Sequence, residues 1–123
     1  MTLTEAKTLA INTLVAADFE NDVVVWDTKK GSDSPRFILV ANIFSSEVNF
    51  SDDDNQDEDH YFYIYAYVEK QYLDELDGMM ETIKTALKGA GFVLSPGGHN
   101  QATEDDLQST YEGRFSEFHT WEN

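Results

Sequence analysis

From Tyr61 to Val68 the chain reads YFYIYAYV, with a tyrosine at every second position. Strand side chains point alternately to opposite faces, so Tyr61, Tyr63, Tyr65 and Tyr67 line one face of a predicted strand. Phe62, Ile64, Ala66 and Val68 line the other. Neither face is built for bare water. The segment from Arg36 to about Val48 has the same two-sided character. It places Phe37, Leu39, Ala41 and Ile43 on one side and Ile38, Val40, Asn42 and Phe44 on the other. Consecutive strands of this kind pair as a hairpin, and that hairpin forms the apolar centre of a sheet.

Helical periods lie on either side of it. Thr2 and Glu5 make a capping-box pattern, and Leu3, Ala6, Leu9, Ala10, Thr13, Leu14 and Ala17 follow at helical spacing, which predicts a first helix to about Ala17. Leu73, Leu76, Met80, Ile83 and Leu87 form one stripe of a second helix, roughly 25 Å long and ending at Gly89 to Gly91. Val23, Val24, Val25 and Trp26 predict a short strand between Asp22 and Asp27, and Thr28 to Pro35 a loop. Phe92 to Leu94 reads as another short strand, Ser95 to Asp106 as a polar loop containing glycine, and Leu107 to Trp121 as a long final strand.

The resulting order, α-β-β-β-α-β-β, describes one α+β domain over residues 1–123. It has two layers, a mostly antiparallel sheet and two helices. A single crossover helix after the third strand favours both helices on one side of the sheet. The other side then needs a different cover. Tyrosine combines a large apolar ring with a polar tip and is enriched at interfaces, which makes the four tyrosines candidates for a subunit or partner contact. The competing arrangement puts one helix on each face, with the tyrosines as core residues.

Charge changes the picture between the two central strands. The chain of 123 residues has 24 acids against 8 bases and a formal charge of −16. Asp52, Asp53, Asp54, Asp57, Glu58 and Asp59 crowd the connection, where mutual repulsion predicts a mobile acidic hairpin loop at about 49–60. So acidic a surface argues against sequence-specific or phosphate-neutralising binding of nucleic acid. It remains compatible with letting DNA pass without sticking, with mimicking DNA, or with plain solubility. The chain has no cysteine, which removes disulfides, thiol catalysis and thiolate metal sites. No apolar run approaches the ~20 residues that span a bilayer, and no signal segment opens the chain, so a soluble protein without a membrane partner is expected.

Candidate chemistry is sparse. Oxygen ligands suit calcium, but the acidic stretch contains no glycine. The twelfth positions from Asp52 and Asp53 are Tyr63 and Ile64, where a calcium loop wants a bidentate glutamate. His60, His99 and His119 have no metal-binding spacing and read as solvated or hydrogen-bonding residues. Gly97, Gly98 and His99 lack the strand and helix that flank a phosphate cradle, and no serine sits in a Gly-x-Ser-x-Gly elbow. No catalytic residue, metal or cofactor is expected, and the protein is expected not to be an enzyme.

Taken together, the opening helix, the strand FILVANIF at 37–44, the long hairpin loop, YFYIYAYV, the helix from Tyr72 to Lys88, GFVLSPGGH at 91–99 and EDDLQST at 104–110 cover most of the chain. In this succession the protein resembles the tail terminator, or tail completion, proteins of long-tailed bacteriophages. The resemblance implies a structural part without catalysis, located in the virion tail and in the host cytoplasm during assembly. It further implies a homo-oligomeric ring, commonly a hexamer, whose partners are the tail tube protein and the head-tail connector protein. The acidity of Asp52 to Asp59 has no counterpart in the family's pattern. Two readings from other classes compete: a small acidic secretion chaperone, and an acidic DNA-mimic inhibitor.

Overall fold

The computed structural model describes residues 2–27, 34–49, 56–95, 101–102 and 111–120. The first helix, α1, spans Leu3–Ala16. Its capping box is complete: the Glu5 amide donates to Thr2 Oγ1 at 3.1 Å, and the Thr2 amide donates to Glu5 Oε1 at 2.8 Å. Two of the four orphan amide donors of the first turn are thereby satisfied. Ala6, Ala10 and Leu14 recur every fourth residue and face the core. The small alanines let the helix lie close to the sheet.

Among the described residues the sheet has six strands. In chain order they are β1 (Val24–Trp26), β2 (Arg36–Asn49), β3 (Gln56–Glu69), β4 (Val93–Leu94), β5 (Gln101–Ala102) and β6 (Tyr111–His119). Their spatial order is β1-β2-β3-β6-β4, with β5 also beside β6. β1 runs parallel to β2, and every other pairing is antiparallel. β4 meets Phe118 and His119, and β5 meets Arg114 and Phe115, so the two short strands lie end to end along β6. The α+β class and the order of the main elements agree with the sequence expectation. β5 falls inside the segment expected to be the polar loop from Ser95 to Asp106. Gln101 and Ala102 pair because β6 offers them a free edge, which local composition does not reveal.

Two further expectations are corrected. The acidic connection was expected to be loop throughout 49–60, yet β2 and β3 stay paired out to Asn49 and Gln56, so Asp57, Glu58 and Asp59 are strand residues. Backbone pairing with Ser46 to Val48 outweighs the repulsion that suggested a loop. Asp52, Asp53 and Asp54 lie outside the described residues, as do the Gly97-Gly98-His99 turn and residues 107–110 of the expected final strand. The alternation counted along β2 also breaks. The register shifts between Asn42 and Phe44, leaving Ile43 as the extra residue of a bulge and setting Phe44 opposite Tyr61.

The second helix begins later than its stripe suggested. Lys70–Glu75 is a 3-10 segment with non-helical angles at Tyr72 (φ −111°, ψ 21°), and the α-helix proper, α2, spans Leu76–Gly89. Leu73 is exposed, whereas Leu76, Met79, Met80, Ile83 and Leu87 are buried. Arg36 leans across from β2 at this point. Its guanidinium lies 4.1 Å from the centre of the Tyr72 ring and makes a forked ion pair with Glu75, including Nη2 to Oε2 at 2.9 Å. Asn21 Nδ2 adds a donor to the same carboxylate at 3.1 Å. Bidentate geometry and ring stacking are arginine's particular chemistry, and together they pin the 3-10 segment to β2.

α2 ends in a Schellman motif. The Phe92 amide donates to Leu87 O at 2.9 Å and the Gly91 amide to Lys88 O at 3.1 Å, with Gly91 at φ 102°. Both helices lie on one side of the sheet. Ala6, Ala10 and Leu14 of α1 and Met80, Ile83 and Leu87 of α2 share a core with Ile38, Val40, Phe62, Ile64, Ala66, Val68 and Phe118 of the sheet. Among the described residues no helix is long and apolar enough to cross a membrane.

Two substitutions separate the glycines at the end of α2. No atom would meet a Cβ at either position, so only backbone preference decides. Gly91→Ala is expected to lower unfolding free energy by about 1 kcal/mol because of its positive φ, and Gly89→Ala, inside the helix, to raise it by about 0.5–1 kcal/mol. Denaturant titration of both variants measures this, and equal effects would refute it. A second expectation concerns acid. The Arg36 guanidinium holds the Glu75 carboxyl below its ordinary value of 4.5, so the stability it contributes is present above that value and lost as pH falls below it. E75Q should flatten the loss of thermal stability below about pH 4.5.

Candidate functional site

The face of the sheet away from the helices is built from aromatic rings. Register places Trp26 of β1, Phe37, Leu39 and Ala41 of β2, the four tyrosines of β3, and Tyr111, Gly113, Phe115, Glu117 and His119 of β6 on this side. The rings form a connected sheet of their own. Trp26 lies 5.0 Å from Phe37, which stacks on Tyr67 at 5.0 Å and meets Tyr111 edge-on at 5.3 Å. Tyr67 stacks with Tyr65 at 6.0 Å, and Tyr63 and Tyr65 both pack on Phe115, at 4.9 and 5.4 Å. Offset and edge-on pairs at these spacings each contribute about 0.5–1.5 kcal/mol beyond burial.

The two ends of this array differ. At one end Phe37, Leu39, Tyr67 and Tyr111 are buried and form a second, smaller core. Gly113, opposite Tyr67, carries no side chain to stand between Tyr67 and Tyr111. The Tyr111 hydroxyl donates to Ser34 O at 2.8 Å, which ties β6 to the chain entering β2. Of the four tyrosines expected at an interface, Tyr67 is thus a core residue, with none of its surface exposed. Its stacking on Phe37 across the hairpin, invisible in β3 alone, is the reason. Tyr61, Tyr63 and Tyr65 remain half-buried, as do Phe115 and Trp26. They are the accessible part of the face.

At the far end lies a polar clasp. The Asp59 side chain is nearly buried, and His119 Nδ1 sits 3.1 Å from its Oδ2. The Thr120 amide donates to Asp59 Oδ1 at 3.2 Å, and the His60 amide donates to Thr120 Oγ1 at 3.1 Å. The imidazole of His119 stacks on Tyr61 with ring centres 4.9 Å apart. Asp59 was expected to be a solvated loop carboxylate. Instead it anchors the end of β6 to β3, because His119 and Thr120 arrive from sixty residues away with matching donors. His60, expected to be solvated or hydrogen-bonding, is fully buried with its amide engaged, and His99 lies outside the described residues. Burial, the Asp59 charge, a hydrogen bond to Asp59 and the charge of Glu117 together raise the Tyr61 phenol above its ordinary value of 10.0.

On the helix layer, a cavity of about 290 Å³ is bounded in part by Phe19, Asn21, Arg36, Glu75, Met79 and Thr82. Of its charged lining residues, Arg36 and Glu75 are engaged with each other, and Glu20 and Asp74 complete an acidic rim. The aromatic face offers more: rigid rings with few rotatable bonds, hydroxyl tips and a rim carboxylate at Glu117. Such a surface binds through shape and stacking and needs no bond-making chemistry. Sequence reading found the tyrosines of β3 but missed Trp26, Tyr111 and Phe115 as members of the same face. The signal existed in β6, where Tyr111, Gly113, Phe115, Glu117 and His119 alternate with Glu112, Arg114, Ser116 and Phe118.

The chain matches no protein-family model, and no curated protein matches it.

The Tyr61 phenol gives this face a spectroscopic signature. A tyrosine titration followed by ultraviolet absorbance should show a component ionising later than an ordinary phenol, and Y61F should reduce that late component by one phenol. Because the folded state holds this proton more tightly, the associated stability is present below about pH 10 and is lost as pH rises through the raised value. An unchanged titration curve in Y61F would contradict the assignment.

Proposed function

We propose that this protein is a structural assembly subunit of the tail terminator type, a ring-forming component that closes the end of a phage tail tube and joins it to the head connector. The observation that carries the reading is the distribution of cover on the sheet. Both helices pack on one face, and the half-buried rings of Tyr61, Tyr63, Tyr65 and Phe115 occupy the other. A second copy of the chain can bury those rings without new chemistry, and a closed ring of such contacts leaves no subunit with an unused surface. The succession of elements that resembles tail terminators supplies the biological setting. In that setting the ring is a hexamer, its partners are the tail tube and connector proteins, and it acts in the virion tail after assembly in the host cytoplasm. The protein works by contact and carries no catalytic residue, metal or cofactor in this role.

A charge of −16 per copy sets the conditions under which the ring forms. Like-charged subunits repel until counter-ions screen them, and the screening length falls to about 8 Å at physiological ionic strength. Light scattering and sedimentation at raised concentration should therefore show a ring-sized species that is favoured by added salt. The double substitution Y63S/Y65S should abolish it while leaving the far-ultraviolet circular dichroism of the monomer in place. A chain that stays monomeric at all concentrations and salt levels, and does not engage tail tubes, would end this reading.

A further inference from the structure

The two long strands outrun the rest of the sheet. β1 pairs with β2 only over Phe37–Leu39, and β6 reaches β3 only as far as Tyr61. Beyond these limits β2 and β3 continue as a two-stranded arm to Asn49 and Gln56. The two edges of that arm are finished differently. On the β3 side, Thr120 takes the His60 amide and binds Asp59, which closes the edge where β6 stops. On the β2 side, among the described residues, no strand pairs with Val40–Asn49. A run of this length extends roughly 30 Å and presents a row of backbone donors and acceptors, the usual template for an added strand.

Charge says what kind of strand. From Phe37 to Glu69 the sequence contains no lysine or arginine. It carries Glu47, Asp57, Glu58, Asp59 and Glu69 in the paired strands and Asp52, Asp53 and Asp54 between them. In the register Glu47 stands directly opposite Glu58, and Val48 opposite Asp57. A stretch with this excess of acids attracts a partner bearing positive charge and disfavours an acidic one. A second copy of this chain would bring an equally acidic arm and add to the repulsion. A bulge at Ile43 further twists the edge away from a flat copy of itself.

We propose that the outer edge of β2, from Val40 to Asn49, accepts an extended lysine- or arginine-bearing segment of another protein as an added strand. This contact is separate from the aromatic face, so it stands whether or not the chain forms a ring. The backbone edge supplies affinity and alignment, and the arm's carboxylates select basic over acidic partners and speed encounter.

The test uses the full chain and a synthetic peptide of alternating lysine and valine, as long as the open edge. Binding is followed by hydrogen exchange with mass spectrometry. Protection is expected within 40–49, with affinity falling steeply between about 0.1 and about 0.5 M salt. Methylating every second peptide nitrogen keeps the charge but removes the donors, and should weaken binding by about tenfold or more. A peptide of glutamate and valine should not bind. The isosteric double substitution E47Q/E58Q should weaken the basic peptide without lowering the melting temperature. Equal binding of the methylated peptide would reduce the effect to counter-ion attraction and overturn the proposal. So would protection confined to the tyrosine strand, or protection of 40–49 by self-association before any peptide is added.

Discussion

A hairpin that is apolar on both faces cannot be hidden by two helices that share one of them, and the architecture of this protein follows from that mismatch. α1 and α2, fourteen residues each, cover the side of Ile38, Val40, Phe62, Ile64 and Val68. The opposite side is stabilised by the rings themselves. Phe37, Tyr67 and Tyr111 stack into a second core under their own mutual cover, and the remaining tyrosines are left with their rings packed edge and face against one another. This is a surface held rigid before any partner arrives. Packed aromatic surfaces lose little side-chain entropy on association, and the subunit contact proposed for Tyr61, Tyr63 and Tyr65 rests on that property.

Electrostatics divides the molecule along a different line. Arg36, one of eight basic residues, is engaged inside the fold by Glu75 and Tyr72. Beyond Arg36, the hairpin from Phe37 to Glu69 has carboxylates and no lysine or arginine. Eight of the chain's 24 acids fall in this stretch, whose β2 strand has, besides β3, no further paired strand beyond Leu39 among the described residues. Aromatic face and acidic edge thus present two surfaces of opposite character on one hairpin. In the roles proposed for them, one favours contact among equals at higher salt, and the other a basic partner at lower salt.

Much of this was legible in the sequence, and what was not has a common physical origin. Period-two alternation located β2 and β3 and sorted the faces of β3 correctly, and the Thr2 and Glu5 pair located the start of α1. Each of these signals is local. The features that escaped depend on residues far apart in sequence. Tyr67 is buried because Phe37 and Tyr111 enclose it, Asp59 is held by His119 and Thr120, and the 3-10 segment ahead of α2 is tied to Arg36 of β2. The bulge at Ile43 belongs to a third kind. A run as uniformly apolar as FILVANIF gives no local mark of where an extra residue enters, so only the pairing with β3 exposes it.

The clasp of Asp59, His119 and Thr120 has a kinetic meaning. It joins residues about sixty positions apart, and the whole pairing of β3 with β6 spans comparable separations, whereas the β2–β3 hairpin closes locally. Contacts of long sequence separation form late because their loop-closure entropy must be met first. Until β6 docks, Phe115 and Tyr111 are absent from the aromatic face and the edge of β3 is open. The aromatic face is therefore complete only when the last long strand is in place, so the association proposed for it follows folding by the order of the chain itself.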